Sequence, residues 1–377
     1  MQDNTLIIVF SDHNESGLIL TKKYKFKNII ILELDKNKEK SCNNLKKIYE
    51  ENSKSKVEIE ICNIDDIINK FKDKKNKFII NLTLDNTLMA LKLLYKCIEF
   101  HITGVYIDIN NKKEYWFKEG LNILEEEFVD LYLDDIFGLS RNNIISDDSD
   151  IHNEKYVLDF AKVIYKNMDT WHKYKQRLYD NEIFMHDYDD QRIVNINKEK
   201  LLDEEKDILI KVLENFKKLN LIEIEEDKNI KVTFLNDYLK GFIFKSGTWL
   251  EVLTENIVRE IKSVDDVKSG VVFIWDSLRS NIKNELDVVA IKDSVMICIS
   301  CKDSAKYDEN TLNELKVYSD RIGGENSKKI LVATKKPNKS SIIDRAKEMG
   351  IHLIILDKDI NVFKKTLEAI INETTQD

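Results

Sequence analysis

Asn284-Glu285-Leu286-Asp287-Val288-Val289-Ala290-Ile291, followed by Val295-Met296-Ile297-Cys298-Ile299-Ser300-Cys301-Lys302, decides the reading of this chain. Two apolar strands each carry a charge, Asp287 in the first and Lys302 near the end of the second. An apolar strand holds such a residue when the charge is paired, exposed or bound to a metal. In a regular hairpin, opposed residues have a constant number sum. Asp287 and Lys302 share a face only if that sum is odd, which requires an even loop. A two-residue turn at Lys292-Asp293 satisfies this. It predicts Asp287 opposite Cys298 and Glu285 opposite Ser300, with opposed Cβ atoms ~5 Å apart. Glu285, Asp287, Ser300 and Lys302 then form a polar face. Leu286, Val288, Ala290, Ile297 and Ile299 form the apolar one.

This spacing of an acid, a hairpin and a lysine reads as a two-strand metal-dependent nuclease site. Phosphodiester cleavage needs an activated water, neutralised charge at phosphorus and a stabilised leaving oxygen. Mg²⁺ or Mn²⁺ held by carboxylates supplies all three. A nearby lysine polarises the water or binds the phosphate. Glu251, in Gly247-Thr248-Trp249-Leu250-Glu251, is the candidate third carboxylate, and Glu255 one turn on is the next. Two plainer readings stay open: Glu251 as an acid complementing a helix dipole, and Asp287 with Lys302 as a structural salt bridge.

The 377 residues leave room for two or three domains, and 42% hydrophobic content supports a sizeable core. A net charge of −9 argues against a general polyanion binder. Nucleic-acid binding therefore needs a local basic surface and a divalent metal. Arg321, Lys328, Lys329, Lys335, Lys336 and Lys339 are the candidate phosphate track. Five scattered cysteines suggest no disulfide framework and fit a reducing cytoplasm. Cys298 and Cys301 point to opposite faces of a strand and so do not share a zinc ion. The N-terminal residues do not read as a signal peptide, and no apolar run approaches the ~20 residues of a membrane helix.

Along the first ~140 residues, Leu6–Phe10, Asn28–Leu34, Val57–Cys62, Phe78–Leu82 and Gly104–Ile109 read as strands. Lys38–Tyr49, Ile64–Phe71 and Thr87–Phe100 read as helices between them. This alternation predicts a parallel doubly wound sheet, with ligands beyond the strands' carboxyl ends. The candidate ligand residues are Ser11, Asp12, His13 and Asn14 after the first strand, and Thr83, Asp85, Asn86 and Thr87 after the fourth. Asp147–Asp150 reads as a linker. An amphipathic helix Glu204–Leu219 and an acidic hairpin, Leu221–Glu225 with Ile230–Leu235, resemble part of a winged-helix module. A second α/β unit follows from about residue 245, with helices at Thr248–Ile261, Asn310–Ile322, Ser340–Met349 and Asp359–Ile371.

Four features together resemble a known family. They are the Gly-x-Trp-Leu-Glu helix, Glu-Leu-Asp-Val with thirteen residues from Asp287 to Ser300, Ser300-Cys301-Lys302, and Arg321-Ile322-Gly323-Gly324 at a helix end. They look like the PD-(D/E)xK restriction-endonuclease superfamily. The nearest resemblance is to nucleases of type III CRISPR systems that carry an N-terminal CARF (CRISPR-associated Rossmann fold) domain, and it extends over nearly the whole chain. It implies a Rossmann-like sensor and dimerisation domain at 1–145, a helical or winged-helix-like connector at 146–240 and a restriction-endonuclease-like α/β domain at 241–377. It implies a cytoplasmic homodimer that binds cyclic oligoadenylate and then cleaves DNA, RNA or both. Asp287, Glu251, Glu285 and the Cys301 backbone carbonyl would hold Mn²⁺ or Mg²⁺, with Lys302 orienting the water.

Two positions depart from the family pattern. Ser300 stands where the motif has its second acid. Asn81-Leu82-Thr83-Leu84-Asp85-Asn86-Thr87-Leu88-Met89-Ala90-Leu91 keeps the frame of the family's Asn-Leu-Thr-Gly-Gly-Thr-Lys segment without its glycines or lysine. Two rivals follow: a restriction or repair nuclease that ignores cyclic oligoadenylate, and a sensor whose nuclease has decayed.

Overall fold

Short apolar runs joined by helices bury both faces of a sheet when they pair in parallel. In the computed structural model, which describes residues 4–11, 14–33, 39–61, 66, 77–118, 122–140, 143–245, 247–274 and 283–373, the N-terminal strands do so. Thr5–Val9, Asn28–Glu33, Lys56–Ile61, Phe78–Asn81 and Thr103–Asp108 lie within about a residue of their expected bounds. All four pairings among these five strands are parallel. Helices Glu39–Asn52 and Thr87–Phe100 also fall where expected, whereas the expected 64–71 helix lies almost entirely outside the described residues. The purely parallel expectation is corrected at one edge, where Lys113–Lys118 and Asn122–Glu126 add antiparallel strands. Thr5–Val9 sits between Asn28–Glu33 and Phe78–Asn81. The strand order reverses there, so the two candidate ligand loops flank a topological switch point.

The middle of the chain contains the helix Asp203–Lys218 and the hairpin Ile222–Glu226/Ile230–Phe234. Two strands absent from the sequence reading, Ile193–Ile196 and Phe184–His186, extend that hairpin to a four-stranded antiparallel sheet. Their alternation is too short to stand out from the polar loops around them.

The C-terminal sheet has six strands, in the order Ile351–Ile355, Lys328–Ala333, Val295–Lys302, Lys283–Lys292, Asp266–Ile274 and Asn143–Ser146. The last strand comes from far upstream. Asp147–Asp150 is therefore no free linker: Asp148 N–H donates to Ser269 O at 2.9 Å, and Ser149 is buried against the same strand. Helices Thr248–Arg259 and Ile360–Asn372 cover one face, over Val288, Ala290, Ile297, Ile299 and Cys301. Helices Glu309–Gly323 and Ser341–Glu348 cover the other, over Val289, Ile291, Met296 and Cys298. Cys298 and Cys301 thus point to opposite sides. The second core is continuous with that of the N-terminal sheet through Leu133, Ile136 and Phe137.

Candidate functional site

The hairpin that carries Asp287 and Lys302 turns at Asp293-Ser294, whose φ values of 51° and 68° suit a tight two-residue hairpin. The expected turn at Lys292-Asp293 is off by one residue, because both left-handed positions fall one place later. The pairs run from Lys292↔Val295 to Val288↔Ile299. Carried one step further, this register sets Asp287 across from Ser300, not Cys298. Parity is preserved, so Asp287 still meets Ser300 and Lys302.

The apolar alternation does not hold throughout. Leu286 packs with Val289 on one face of the sheet, while Val288 packs on the other. The neighbouring strand breaks at the same level: Val267 lies on one face and Val271 on the other, around Gly270 at φ +57°. Only glycine adopts that conformation cheaply. The pairing between the two hairpin strands ends at Val288↔Ile299, so they fork at Asp287.

The fork explains the aspartate. Asp287 Oδ2 accepts from Cys301 N–H at 2.6 Å, Ser300 Oγ at 3.1 Å and Lys302 Nζ at 3.4 Å. The carboxylate thus supplies the acceptor that a ladder partner would have given Cys301. Oδ1 accepts no hydrogen bond among the described residues and remains available to a ligand. N–H and C=O of one strand residue face the same neighbour, so the Cys301 carbonyl also points towards the fork. Ser300 contributes a hydroxyl that donates to Asp287 and brings no charge.

Glu251 sits in the first turn of Thr248–Arg259, half-buried and close to Asp287 and Glu285. Burial, then the charges of Asp287 and Glu285, hold its carboxyl well above the usual carboxylate range, against the pull of Lys302 and Lys245. Its carboxyl has no hydrogen bond among the described residues. Burial and Asp287 also raise Glu285, which Lys245 and Lys302 partly offset. Burial lowers Lys302, but Asp287 and its other neighbours outweigh that and raise it overall. Lys302 is therefore a cation through neutral pH. Mutually repelling acids with unoccupied oxygens, Asp287 Oδ1 among them, suit a hard divalent cation, which prefers oxygen ligands. A cavity of about 350 Å³ opens beside them, lined in part by Glu285, Asp287, Ser300, Lys302, Glu314 and Tyr318.

A closer acid trio lies elsewhere. Asp130, Asp265 and Asp293 each offer an oxygen within 4.8 Å of the others, at the hairpin turn. Lys112 Nζ already pairs there with Asp130 at 2.8 Å and Asp293 at 2.9 Å. No such trio forms at the fork among the described residues.

Glu255 serves the fold. Its oxygens accept from Ser269 Oγ, Asn153 Nδ2 and Arg259. Ser269 Oγ in turn lies 2.6 Å from His152 Nδ1, and all these groups except Asn153 and Arg259 are buried. Asp303, which the sequence reading passed over, is a second anchor. It accepts from Trp171 Nε1 at 2.7 Å, His172 Nε2 at 2.7 Å, Lys175 Nζ at 2.9 Å, Thr334 Oγ1 at 2.9 Å and Trp249 Nε1 at 3.0 Å. Its position directly after Lys302, with Trp249 two residues before Glu251, was the available signal.

At the switch point, Asp12 and His13 lie outside the described residues. Asn14 and Ser11 close their loop on each other: Ser11 N–H donates to Asn14 Oδ1 at 3.2 Å, and Asn14 Nδ2 to Ser11 O at 2.8 Å. Thr83 Oγ1 accepts from Ile107 N–H at 2.7 Å. Asn86 caps the Thr87–Phe100 helix through Met89 N–H. Asp85 and Thr87 are exposed. The basic track divides in two. Lys328 is spent on carbonyls at the end of the last helix, and Lys329 is buried against Asp320. Lys335, Lys336 and Lys339 are exposed.

Residues 240–373 match the family model of the Card1-like endonuclease domain. No curated protein matches the chain. Among solved structures, Can2 from Sulfobacillus thermosulfidooxidans in complex with cyclic tetra-adenylate is similar at TM-score 0.73 and 18% identity, over 98% of this chain and 100% of that one. Protein VC1899 from Vibrio cholerae is similar at TM-score 0.69 and 15% identity, over 98% and 96% of the two chains. A type III CRISPR defence DNA nuclease activated by cyclic oligoadenylate gives TM-score 0.53 and 13% identity, over 90% of this chain and 47% of that one. At these identities the structural matches show a shared fold. With the endonuclease match they agree with the family resemblance drawn from the sequence. Among the described residues, no helix is long and apolar enough to cross a membrane.

Proposed function

We propose, from a C-terminal unit like the Card1 endonuclease domain and a whole-chain fold shared with a cyclic-tetra-adenylate-bound protein, that this chain is a nuclease gated by cyclic oligoadenylate and dependent on a divalent metal. Its substrate is DNA, RNA or both. The observation that carries this is the fork, where Asp287 is anchored on one oxygen and open on the other beside Glu251. Bound Mn²⁺ or Mg²⁺ supplies water activation and charge neutralisation. Asp287 and Glu251 would hold it, with the Cys301 carbonyl and Glu285 beside them. Two carboxylates completed by water and phosphate oxygens are a usual set for Mg²⁺, so a tighter acid trio is not required. Lys302 stays protonated, so it orients water and phosphate as a charge and does not serve as the base. Ser300 and Cys301 N–H fix Asp287 in place.

The gate has a physical route. Lys112 of the sensor pairs with Asp293, and Leu131 N–H donates to Ser294 Oγ at 2.9 Å. The sensor thus grips the turn of the hairpin that carries Asp287 and Lys302. With Mn²⁺ present, adding cyclic tetra-adenylate is expected to raise cleavage of plasmid or single-stranded substrates at least about tenfold, a coupling of ~1.4 kcal/mol. Cyclic tri- and hexa-adenylate test ring size. Equal rates with and without every ring would reject the gate. No cleavage under any condition would favour the decayed-nuclease rival that Ser300 motivates.

A homodimer is also expected. The helix Thr87–Phe100 turns Leu88, Leu91, Tyr95 and Ile98 outward, with Leu91 57% and Tyr95 64% exposed. A contiguous apolar stripe of this kind marks an interaction face, and most soluble oligomers are symmetric pairs. Replacing both Leu91 and Tyr95 by Glu is expected to convert a dimer to a monomer by light scattering. An unchanged mass would remove this face from the interface.

A further inference from the structure

Ser269 precedes the left-handed Gly270, and one upstream segment holds all three of its polar groups. Its C=O accepts from Asp148 N–H at 2.9 Å, and its N–H donates to Ser149 Oγ at 3.0 Å. Its Oγ lies 2.6 Å from Nδ1 of His152, 117 positions earlier in the chain. The donors then run in one direction. Burial raises the Glu255 carboxyl, but His152, Ser269 and Arg259 outweigh that and hold it below its ordinary range, so it is a carboxylate that only accepts. Ser269 Oγ gives its single proton to Glu255 Oε2. Ser269 Oγ must therefore accept from His152 Nδ1–H. The other ring nitrogen, Nε2, meets the Tyr238 hydroxyl. Both nitrogens are engaged, which fixes the orientation of the imidazole. His152, Ser269 and Glu255 are all buried, and a satisfied polar chain in such surroundings is rigid.

The chain ends on two parts of the fork. Gly270 stands between the pairs Ser269↔Val288 and Val271↔Leu286, which sets it across from Asp287. The break in alternation that frees Asp287 thus begins beside the residue that His152 holds. Glu255 lies one helical turn after Glu251 on Thr248–Arg259. Arg259 of the same helix donates to Glu255 and to Val267 O, the latter at 3.1 Å. Hydrogen bonds therefore join the strand that opens the fork to the helix that presents Glu251. A constellation of ligands works only while its donors keep their geometry to within about 0.5 Å.

We propose that His152 is a positioning residue of the fork: held between Tyr238 and Ser269, it sets the placement of Glu251 relative to Asp287 through Ser269 and Glu255. It touches neither acid itself. This rests on the fork being the cleavage site.

Steady-state cleavage by the full chain with Mn²⁺ and cyclic tetra-adenylate tests this, at a temperature well below each variant's melting point. Ser269→Ala removes one oxygen and cuts the link between His152 and Glu255. It is expected to lower kcat at least about tenfold and to raise the Mn²⁺ concentration for half-maximal rate, with the substrate KM unchanged. His152→Asn, whose amide can replace Nδ1 as donor to Ser269, is expected to keep more activity than His152→Gln, whose amide reaches the Nε2 position. A role in stability alone would lower melting temperatures and leave kcat and the Mn²⁺ requirement of folded Ser269→Ala unchanged. That result, with Asp287→Asn inactive, overturns this inference and leaves the fork standing. Should Ser269→Ala melt early, equal rates in the two His152 variants overturn it. Full-rate cleavage by Asp287→Asn, or none by the unaltered chain, overturns the fork and this inference together.

Discussion

Asp287→Asn is expected to cleave at least about a thousandfold more slowly than the unaltered chain while melting at nearly the same temperature. The amide keeps an oxygen for Cys301 N–H and Ser300 Oγ, so the fork retains its geometry. What it loses is charge. Metal-borne charge stabilisation amounts to several kcal/mol, and each 1.36 kcal/mol is about tenfold in rate. The ion pair with Lys302 contributes little to folding, because Lys302 remains about one-third exposed and pairs at such sites are worth ~0–1 kcal/mol. Lys302→Ala should likewise abolish cleavage with the fold intact. Single-turnover rates and thermal melts of the two variants check this. Full activity in either would remove that residue from the site.

Asp303→Ala is expected to destabilise the chain by about 3–5 kcal/mol, the range for breaking a buried charge pair. The substitution strands Lys175, two indole N–H groups and the Thr334 hydroxyl. Activity should fall too, because these contacts tie Trp171, His172 and Lys175 to the residue after Lys302 and to the helix that carries Glu251. The same carboxyl predicts acid sensitivity. Burial pushes it up, but His172, Trp249, Lys175 and Trp171 together hold it at about 2, below its ordinary 3.8. A depressed carboxylate contributes stability that is fully present above its unfolded pKa and is lost as pH falls through the folded value. The contribution is ~2 kcal/mol, disappearing between about pH 4 and pH 2. Urea unfolding of Asp303→Ala at pH 7 and pH 3 measures both effects. A loss under about 1 kcal/mol at pH 7 would show that the five contacts are not a structural anchor.

The parts of the fold legible in the sequence are those with a strong local period. The five parallel strands, the helix Thr87–Phe100 and the hairpin at Asp227 follow from apolar runs and their punctuation. The helix Glu15–Lys23 is buried from Glu15 to Thr21 and shows no amphipathic stripe, so periodicity could not reveal it. The strand Asn143–Ser146 pairs with residues far along the chain, and no local pattern signals such a partner. At the site, parity brought Asp287, Ser300 and Lys302 together even though the turn was misplaced by one residue. The break in alternation at Asp287 depends on Gly270 of another strand, and a hairpin read in isolation cannot contain it. Asp303 was missed for the same reason. Its chemistry comes from the distant side chains it binds, and its sequence neighbours do not show them.

The most direct measurement is cleavage of labelled single-stranded DNA and RNA by the purified chain with cyclic tetra-adenylate, first with Mn²⁺ and then with excess EDTA. Cleavage that needs Mn²⁺, stops on chelation and is absent in Asp287→Asn is the predicted result. Cleavage that persists in EDTA, or that Asp287→Asn performs at the full rate, would contradict a divalent cation held at the fork.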